Sequence, residues 1–279
     1  MIGIVGYGFV GRSLEKLFGA EHCRIFDPFQ GFGGDACRKL VNECPITFVS
    51  VPTQPTADGH CDTSIVEEAV RWIRSPIIVI RSTVPPGTTD RLTAATGKRI
   101  VFQPEYVGET AAHPLLDHRN QPFAVLGGRL EDTSPVADLY KGYYHSDFRF
   151  YFVSAVTAEL AKYMENAFYA VKVTFCNEFY DLARAFGVDP NELREAWLAD
   201  PRISRDHTFV YPDSRGFSGR CLPKDVTAII QAARDKGVWP TLLQQAMLTN
   251  VVKYRVNDAI CEQFVPLLVE WERPPADAT

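Results

Sequence analysis

The sequence predicts an α/β protein: a doubly wound parallel sheet in the first half and an all-α second half built around one long helix. Three observations carry that reading. Short apolar runs alternate with helix-compatible segments up to about residue 150. The first of these runs ends in a glycine-rich turn, Gly6-Tyr7-Gly8-Phe9-Val10-Gly11, that leads directly into an amphipathic segment. Beyond about residue 150 the short runs stop, and a single helical pattern covers Thr157–Phe186. Alternation of strand and helix builds a parallel sheet with helices on both faces, and an uninterrupted helical periodicity does not.

The candidate strands are Ile2–Val5, Cys23–Phe26, Ile46–Val51, Ile77–Ile80, Ile100–Phe102 and Phe123–Leu126. Each is short and apolar throughout, as strands covered on both faces are. Helix candidates between them are Val10–Phe18, Ser64–Ile73 and Val136–Tyr140. In the second half the long helix closes at Gly187 before Asp189-Pro190, and Pro190 opens a further helix to Leu198. A loop rich in Arg, Asp, Ser and Gly covers 200–220, and helices are expected at about 224–236 and 241–270, the last distorted or ended by Pro266. The tail Arg273–Thr279 is expected to fray. With 279 residues the chain suits two domains, 1–152 and 153–279.

Composition excludes several function classes. The chain is 46% hydrophobic and 23% charged, so it is expected to form real cores. A formal net charge of −5 gives no electrostatic case for nucleic acid. Apolar runs such as Pro76–Ile80 are too short to span a membrane, and Met1–Gly11 lacks the basic leader of a secretory signal. Seven cysteines without a C-x-x-C pair read as reduced cytosolic thiols, and the six histidines form no ligand set, so no metal is expected and the expected compartment is cytoplasmic.

In the glycine turn, the first glycine permits the tight bend and the second lets backbone approach a pyrophosphate. The third lets the helix pack closely on the strand, and the helix N-terminus favours the anion. The turn makes the first domain Rossmann-type. Asp27 ends the second strand, where a carboxylate binds ribose hydroxyls; no basic residue follows in Asp27-Pro28-Phe29-Gln30, which favours NAD over NADP. The competing role for Asp27 is that of a turn residue before proline. Cys221 lies in Gly216-Phe217-Ser218-Gly219-Arg220-Cys221-Leu222-Pro223-Lys224-Asp225, a glycine-rich loop before a helix. Such a loop gives a thiol access and amide donors, and Arg220 and Lys224 could stabilise a thiolate. Lys162 and Asn166, four apart on the long helix, share one face. Glu105 and Glu109 follow a strand end, the ligand edge of an α/β sheet. Taken alone, each of these groups has a bland reading: a gap-filling cysteine, a solvated helix face, surface glutamates.

Together, in order along the chain, they resemble the UDP-glucose/GDP-mannose 6-dehydrogenase family. The segments that carry the resemblance are Gly6–Gly11, Val51-Pro52-Thr53, Ser82-Thr83-Val84-Pro85-Pro86-Gly87-Thr88 and Pro104-Glu105 through Glu109. Further on, Ala158-Glu159-Leu160-Ala161-Lys162 with Asn166-Ala167 and Asn177-Glu178, Arg202-Ile203, and Gly216–Asp225 complete the set. The resemblance implies NAD-dependent oxidation of a nucleotide-sugar C6 alcohol, UDP-glucose first among them, to the uronic acid. Cys221 would form a thiohemiacetal and then a thioester. Lys162 and Asn166 would hold the oxyanion, and Asp225, with a water held by Thr83 and Glu105, would serve proton transfer and hydrolysis. Gly6, Gly8, Phe9, Val10, Gly11, Asp27, Thr53, Thr83, Glu109 and Lys224 would face the cofactor. Glu105, Glu109, Lys162, Asn166, Arg202, Tyr211, Gly216 and Gly219 would face the substrate, Arg202 across a homodimer interface.

Departures from the family pattern are Ser218 for a glycine, Arg220 for a small residue, and Pro122-Phe123-Ala124 for P-x-R. A shortened segment between Asp27 and Ile46 is expected to prune a helical excursion. The family's second α/β domain, which holds the nucleotide, is expected to be missing, so a partner supplying it is one expectation. Two other readings stand beside this one: a β-hydroxyacid dehydrogenase of the 6-phosphogluconate type, and an NAD-binding half-site protein.

Overall fold

The computed structural model describes residues 1–108, 118–219, 221–256 and 258–270. Seven strands form one sheet: β1 (Ile2–Val5), β2 (Cys23–Phe26), β3 (Ile46–Val49), β4 (Ile77–Ile80), β5 (Ile100–Phe102), β6 (Phe123–Gly127) and β7 (Arg149–Val153). Their spatial order is β2-β1-β3-β4-β5-β6-β7. All neighbouring pairs are parallel except β5 with β6, so the sheet is mixed where the sequence predicted a parallel one. The order reverses between β1 and β3, and open α/β sheets bind ligands beyond the strand carboxyl ends at such a reversal.

Side chains along each strand separate by parity. Ile2, Ile4, Phe48, Ile77, Val79, Val101 and Leu126 enter one core together with Leu14, Phe18, Val136 and Tyr140. Val5, Val49, Ile78, Ile80, Ile100 and Phe102 enter the other with Val41, Val66, Val70, Leu92 and Ala158. The second core receives helices α2 (Gly34–Asn42), α3 (Ser64–Trp72) and α4 (Thr88–Thr96), and the first receives α1 (Phe9–Phe18) and α5 (Leu130–Lys141). This two-sided cover is why the strands read as continuous apolar runs.

Several elements differ from the sequence expectation, each for a visible reason. The third strand ends at Val49, not Val51, where Val49 O accepts the N–H groups of Arg81 and Ser82 and the ladder closes. Between Asp27 and Ile46, where the sequence reading names no helix, α2 makes the crossover, its Val41 fully buried. α4, with four threonines, has little intrinsic helix preference; a buried carboxylate at its N-terminus, described below, compensates. α5 runs longer than Val136–Tyr140 despite Pro135. The Glu131 carbonyl that Pro135 cannot bond accepts from Arg99 Nη2 at 2.6 Å instead. β7 was not anticipated because it is largely exposed and aromatic rather than uniformly apolar.

The long helix α6 spans Ala155–Ala185 and is followed by α7 (Pro190–Trp197) and α8 (Leu222–Arg234). Then come α9 (Thr241–Thr249), α10 (Ala259–Glu262) and α11 (Val265–Glu270). The chain divides into two units, Met1–Gln54 with Asp62–Lys162, and Pro55–Cys61 with the chain from Tyr163 on. The second unit's core gathers Ala170, Phe217, Val226, Ile230, Met247, Val251 and Phe264. The single helix expected over 241–270 is interrupted well before Pro266. A π-helical turn at Asn250–Tyr254 widens and underwinds its end, and Asp258 then starts α10 by accepting from Cys261 N–H. Pro266 lies in the first turn of α11, where no helical N–H is required of it. Among the described residues no helix is long and apolar enough to cross a membrane. The tail 273–279, Glu109, His113 and Arg220 lie outside the described residues.

Candidate active site

In the first unit the functional segments sit at strand carboxyl ends. Gly6 takes φ +88° immediately after β1, and a Cβ there would strike the backbone of Ser50. Gly11 faces the Gly6 carbonyl so closely that a Cβ would collide with it, which is the helix-on-strand packing expected of the third glycine. Gly8 differs: a Cβ there would meet nothing within 4 Å, so the backbone at the start of α1 is open to approach. Phe9 and Val10 form the first turn of α1. Asp27 accepts from Tyr7 N–H at 2.7 Å and from Phe29 N–H at 3.0 Å, tying the glycine turn to the end of β2 and capping the turn at Pro28. Asp27 thus performs the turn role its bland reading offered, and each oxygen keeps a further lone pair for a ribose hydroxyl. These residues fit a dinucleotide: a close-approach turn, an open second glycine and a carboxylate at the next strand end.

Thr53 and Thr83 are brought together, Thr53 Oγ1 donating to the Thr83 carbonyl at 3.0 Å, while Ser82 Oγ donates to Val51 O at 2.7 Å. The loop after Thr83 is fixed by Glu159 of α6, which is fully buried. Its carboxylate accepts from Gly87 N–H at 2.5 Å, Thr89 N–H at 2.9 Å and Thr89 Oγ1 at 2.6 Å, at the N-terminus of α4. Burial pushes this carboxyl above the usual glutamate range, opposed by those three donors. Glu105 lies just beyond β5, and its Oε1 accepts from the backbone N–H groups of Tyr106 (2.7 Å) and Val107 (2.6 Å). Its Oε2 accepts from Arg81 Nη2. The Lys162 ammonium stands 5.1 Å from the centroid of the Tyr106 ring.

In the second unit Cys221 is the N-cap residue of α8, and of the seven cysteines only it is exposed. Burial pushes the Cys23 thiol up to about 12 and the Cys261 thiol up to about 11, and raises those of Cys44 and Cys176, which suits inert core thiols. One turn into α8, Asp225 is buried and accepts from Asn166 Nδ2 at 2.6 Å and from Lys224 Nζ at 2.5 Å. Burial alone would lower the Lys224 ammonium. The charge of Asp225, then the sulfurs of Cys61 and Cys221, hold it above the ordinary lysine value. Cation, carboxylate and carboxamide therefore sit within one turn of an accessible thiol.

The loop that presents the thiol has little regular structure, and side-chain amides hold it. Asn250, fully buried in the π turn, accepts from Phe217 N–H and donates to Phe217 O, both at 2.8 Å. Asn177 Oδ1 accepts from Gly216 N–H at 3.1 Å and from Arg215 Nε at 2.6 Å. Gly216, at φ +71°, has no room for a Cβ beside Asn250 and Tyr254. Ser218, the departure from a family glycine, donates to Asp258 at 2.9 Å. Gly219 lies in open space.

Of the predicted residues, then, Thr53 meets Thr83, Lys162 meets the Glu105 loop through Tyr106, and Asn166 meets Asp225, which also pairs with Lys224. Arg202 is exposed and held locally by Asp200 (Nη2 to Oδ2, 2.6 Å), and Tyr211 is exposed against Phe209. Sequence reasoning missed Arg81 and Asn250. A charged residue directly after the buried run Ile77–Ile80 was a usable signal for Arg81. A lone asparagine inside a helical pattern gave none for Asn250. Among the described residues no group of three or more His, Cys, Asp or Glu is placed to hold a metal.

Sheet order, glycine turn and amide-held thiol loop define a dinucleotide-binding α/β protein with a thiol-bearing helical unit. Comparison with known proteins sharpens that class. Residues 32–144 match the NAD binding domain of the UDP-glucose/GDP-mannose dehydrogenase family, and residues 156–251 match its central domain. UDP-glucose 6-dehydrogenase AglM of Haloferax volcanii is 32% identical, across 96% of this chain and 72% of its own length. Putative UDP-glucose 6-dehydrogenase YtcA of Bacillus subtilis is 34% identical over 226 residues, 76% of this chain and 52% of the relative. A UDP-glucose dehydrogenase from Pyrobaculum islandicum superposes with a TM-score of 0.76 at 27% identity, covering 89% of this chain and 67% of that one. The chain belongs to the UDP-glucose/GDP-mannose dehydrogenase family, and its first unit carries the family's NAD-binding domain. It spans about half the length of curated relatives such as YtcA. The 6-phosphogluconate-type reading is not favoured by these matches.

Proposed function

We propose that this chain oxidises the C6 alcohol of a nucleotide sugar, UDP-glucose first among the candidates, to the uronic acid, with Cys221 as the nucleophile. The observation that carries the reading is the exposed Cys221 at the start of α8, beside the Asn166–Asp225–Lys224 cluster, in which Asn166 and Asp225 are buried. NAD, when bound, supplies the hydride acceptor for two successive oxidations, of the alcohol and then of the Cys221 adduct. Gly6, Gly8, Phe9, Val10, Gly11, Asp27, Thr53 and Thr83 would hold it, with Glu109 and Lys224 as the resemblance implies. An aldehyde has no hydride to give until a nucleophile adds to it, so the Cys221 thiolate forms a C–S bond to its carbon. Lys162 and Asn166 supply a cation and an N–H donor to the oxyanion that forms. Asp225 accepts the hydroxyl proton, and a water held by Thr83 and Glu105 cleaves the C–S bond, releasing carboxylate and restoring the thiol.

The test is a panel of UDP- and GDP-sugars with NAD, scored as NADH formed per sugar consumed. Two NADH per sugar with uronic acid as product is expected; one NADH per sugar would defeat the reading.

The exposed face of α6 carries Leu160, Met164, Phe168, Phe175 and Phe179, a stripe at helical spacing that fits a second copy of the chain. A native mass of twice 31.3 kDa is expected, and a monomer at all concentrations would remove the dimer.

A further inference from the structure

We infer that Arg81 is the positioning residue of the proposed site: it pins Glu105 as a permanent anion, so that Glu105 orients a water or substrate hydroxyl and does not itself accept the proton. The inference rests on the proposed dehydrogenase reading for the reaction it serves, and on geometry for the pinning. The Arg81 side chain is 1% exposed and that of Glu105 11%. Arg81 Nη2 pairs with Glu105 Oε2, while Oε1 accepts two backbone N–H groups from Tyr106 and Val107. Both carboxylate oxygens are therefore taken by donors that stabilise the charged form.

The guanidinium is itself held from behind. Arg81 Nη1 donates to the Tyr140 hydroxyl at 3.1 Å, and that hydroxyl donates to Gln103 Oε1 at 2.8 Å. Burial pushes the Tyr140 phenol up, so it stays a neutral link. Charged and titratable groups packed near the carboxylate include Arg81 beyond β4, Tyr140 of α5 and Tyr144 after it, and Lys162 of α6 across the Tyr106 ring. Protonating Glu105 would leave the buried guanidinium without its anion, an arrangement proteins avoid. Arg81 cannot give up a proton, so its pair with Glu105 has no neutral form, whereas the Lys224–Asp225 pair, whose ammonium can give one up, is left to take the hydroxyl proton. Arg81 also fixes the direction of the Glu105 loop, whose Tyr106 ring carries Lys162.

The test uses the full chain with carbon-13 at the glutamate carboxyls, the Glu105 resonance being assigned with Glu105→Gln. In the wild type that resonance is expected to stay at its ionised position from about pH 5 to about pH 9. In Arg81→Met it is expected to titrate inside that window, and in Arg81→Lys to return towards wild-type behaviour. With UDP-glucose and NAD, kcat in Arg81→Met should fall about 10- to 100-fold, with its acid limb moved to higher pH and KM for NAD within about twofold. A wild-type Glu105 that titrates within the window, or an Arg81→Met resonance and pH profile unchanged from wild type, would overturn the inference. Should Arg81→Met not fold, the wild-type and Arg81→Lys titrations decide. Absence of NADH with every nucleotide sugar would remove the proposed function and leave the titration to judge Arg81 alone.

Discussion

The two units anchor their functional segments by different means. In the first, backbone geometry does most of the work: strand ends, a glycine turn closed to side chains at Gly6 and Gly11, and one buried carboxylate, Glu159, across the N-terminus of α4. In the second, the thiol loop between α7 and α8 is irregular and depends on two side-chain amides, Asn177 and Asn250, that answer backbone donors and acceptors. An anchor made of backbone resists substitution of neighbouring side chains. An anchor made of one amide fails with that amide.

The largest effect is expected at Asn250. Asn250→Ala strands the N–H of buried Phe217 and leaves its C=O only the weak Cys261 thiol at 4.0 Å, which should cost about 2–5 kcal/mol, since each unmet buried group costs roughly 1–3 kcal/mol. Urea unfolding measures this, and Asn250→Asp, which keeps the acceptor and loses the donor, should fall between. A loss below that of an ordinary surface substitution would show that the loop is held elsewhere.

The glycine turn offers a sharper contrast within the first unit. Gly11→Ala forces a methyl against the Gly6 carbonyl and should cost about 1–3 kcal/mol, in line with overpacking elsewhere. Gly8→Ala meets no protein atom and should leave stability within about 0.5 kcal/mol, while weakening NAD binding by occupying the approach to the backbone. Calorimetry with NAD on both variants checks the pair. Equal stability losses with unchanged NAD affinity in Gly8→Ala would mean that the dinucleotide does not use this turn.

The same contrast explains what was legible in the sequence. Glycines at fixed spacing after an apolar run, and strands buried on both faces, leave a periodic trace, so the sheet and the glycine turn are legible in the sequence. Cys221, Lys162, Asn166 and Asp225 could be picked out only as an ordered set, because each alone resembles a common surface or core residue. The antiparallel return of β6 left no trace, since pairing direction is decided by where the chain re-enters the sheet. α4 was hidden by its threonines, whose partner, Glu159, lies 70 residues beyond Thr89. Asn250 was hidden for the same reason: its meaning lies in the backbone of Phe217, 33 residues earlier. Long-range side-chain-to-backbone bonds have no local pattern, and they are where this site is held.

The most direct measurement of the central claim is the ratio of NADH to sugar consumed, compared between the wild type and Cys221→Ala with UDP-glucose as substrate. Two NADH per sugar and uronic acid are predicted for the wild type. For Cys221→Ala, uronic acid formation should fall by about 10³-fold or more, as loss of a covalent nucleophile does elsewhere. Two NADH per sugar at an unchanged rate in Cys221→Ala would contradict the assignment of Cys221 as the nucleophile.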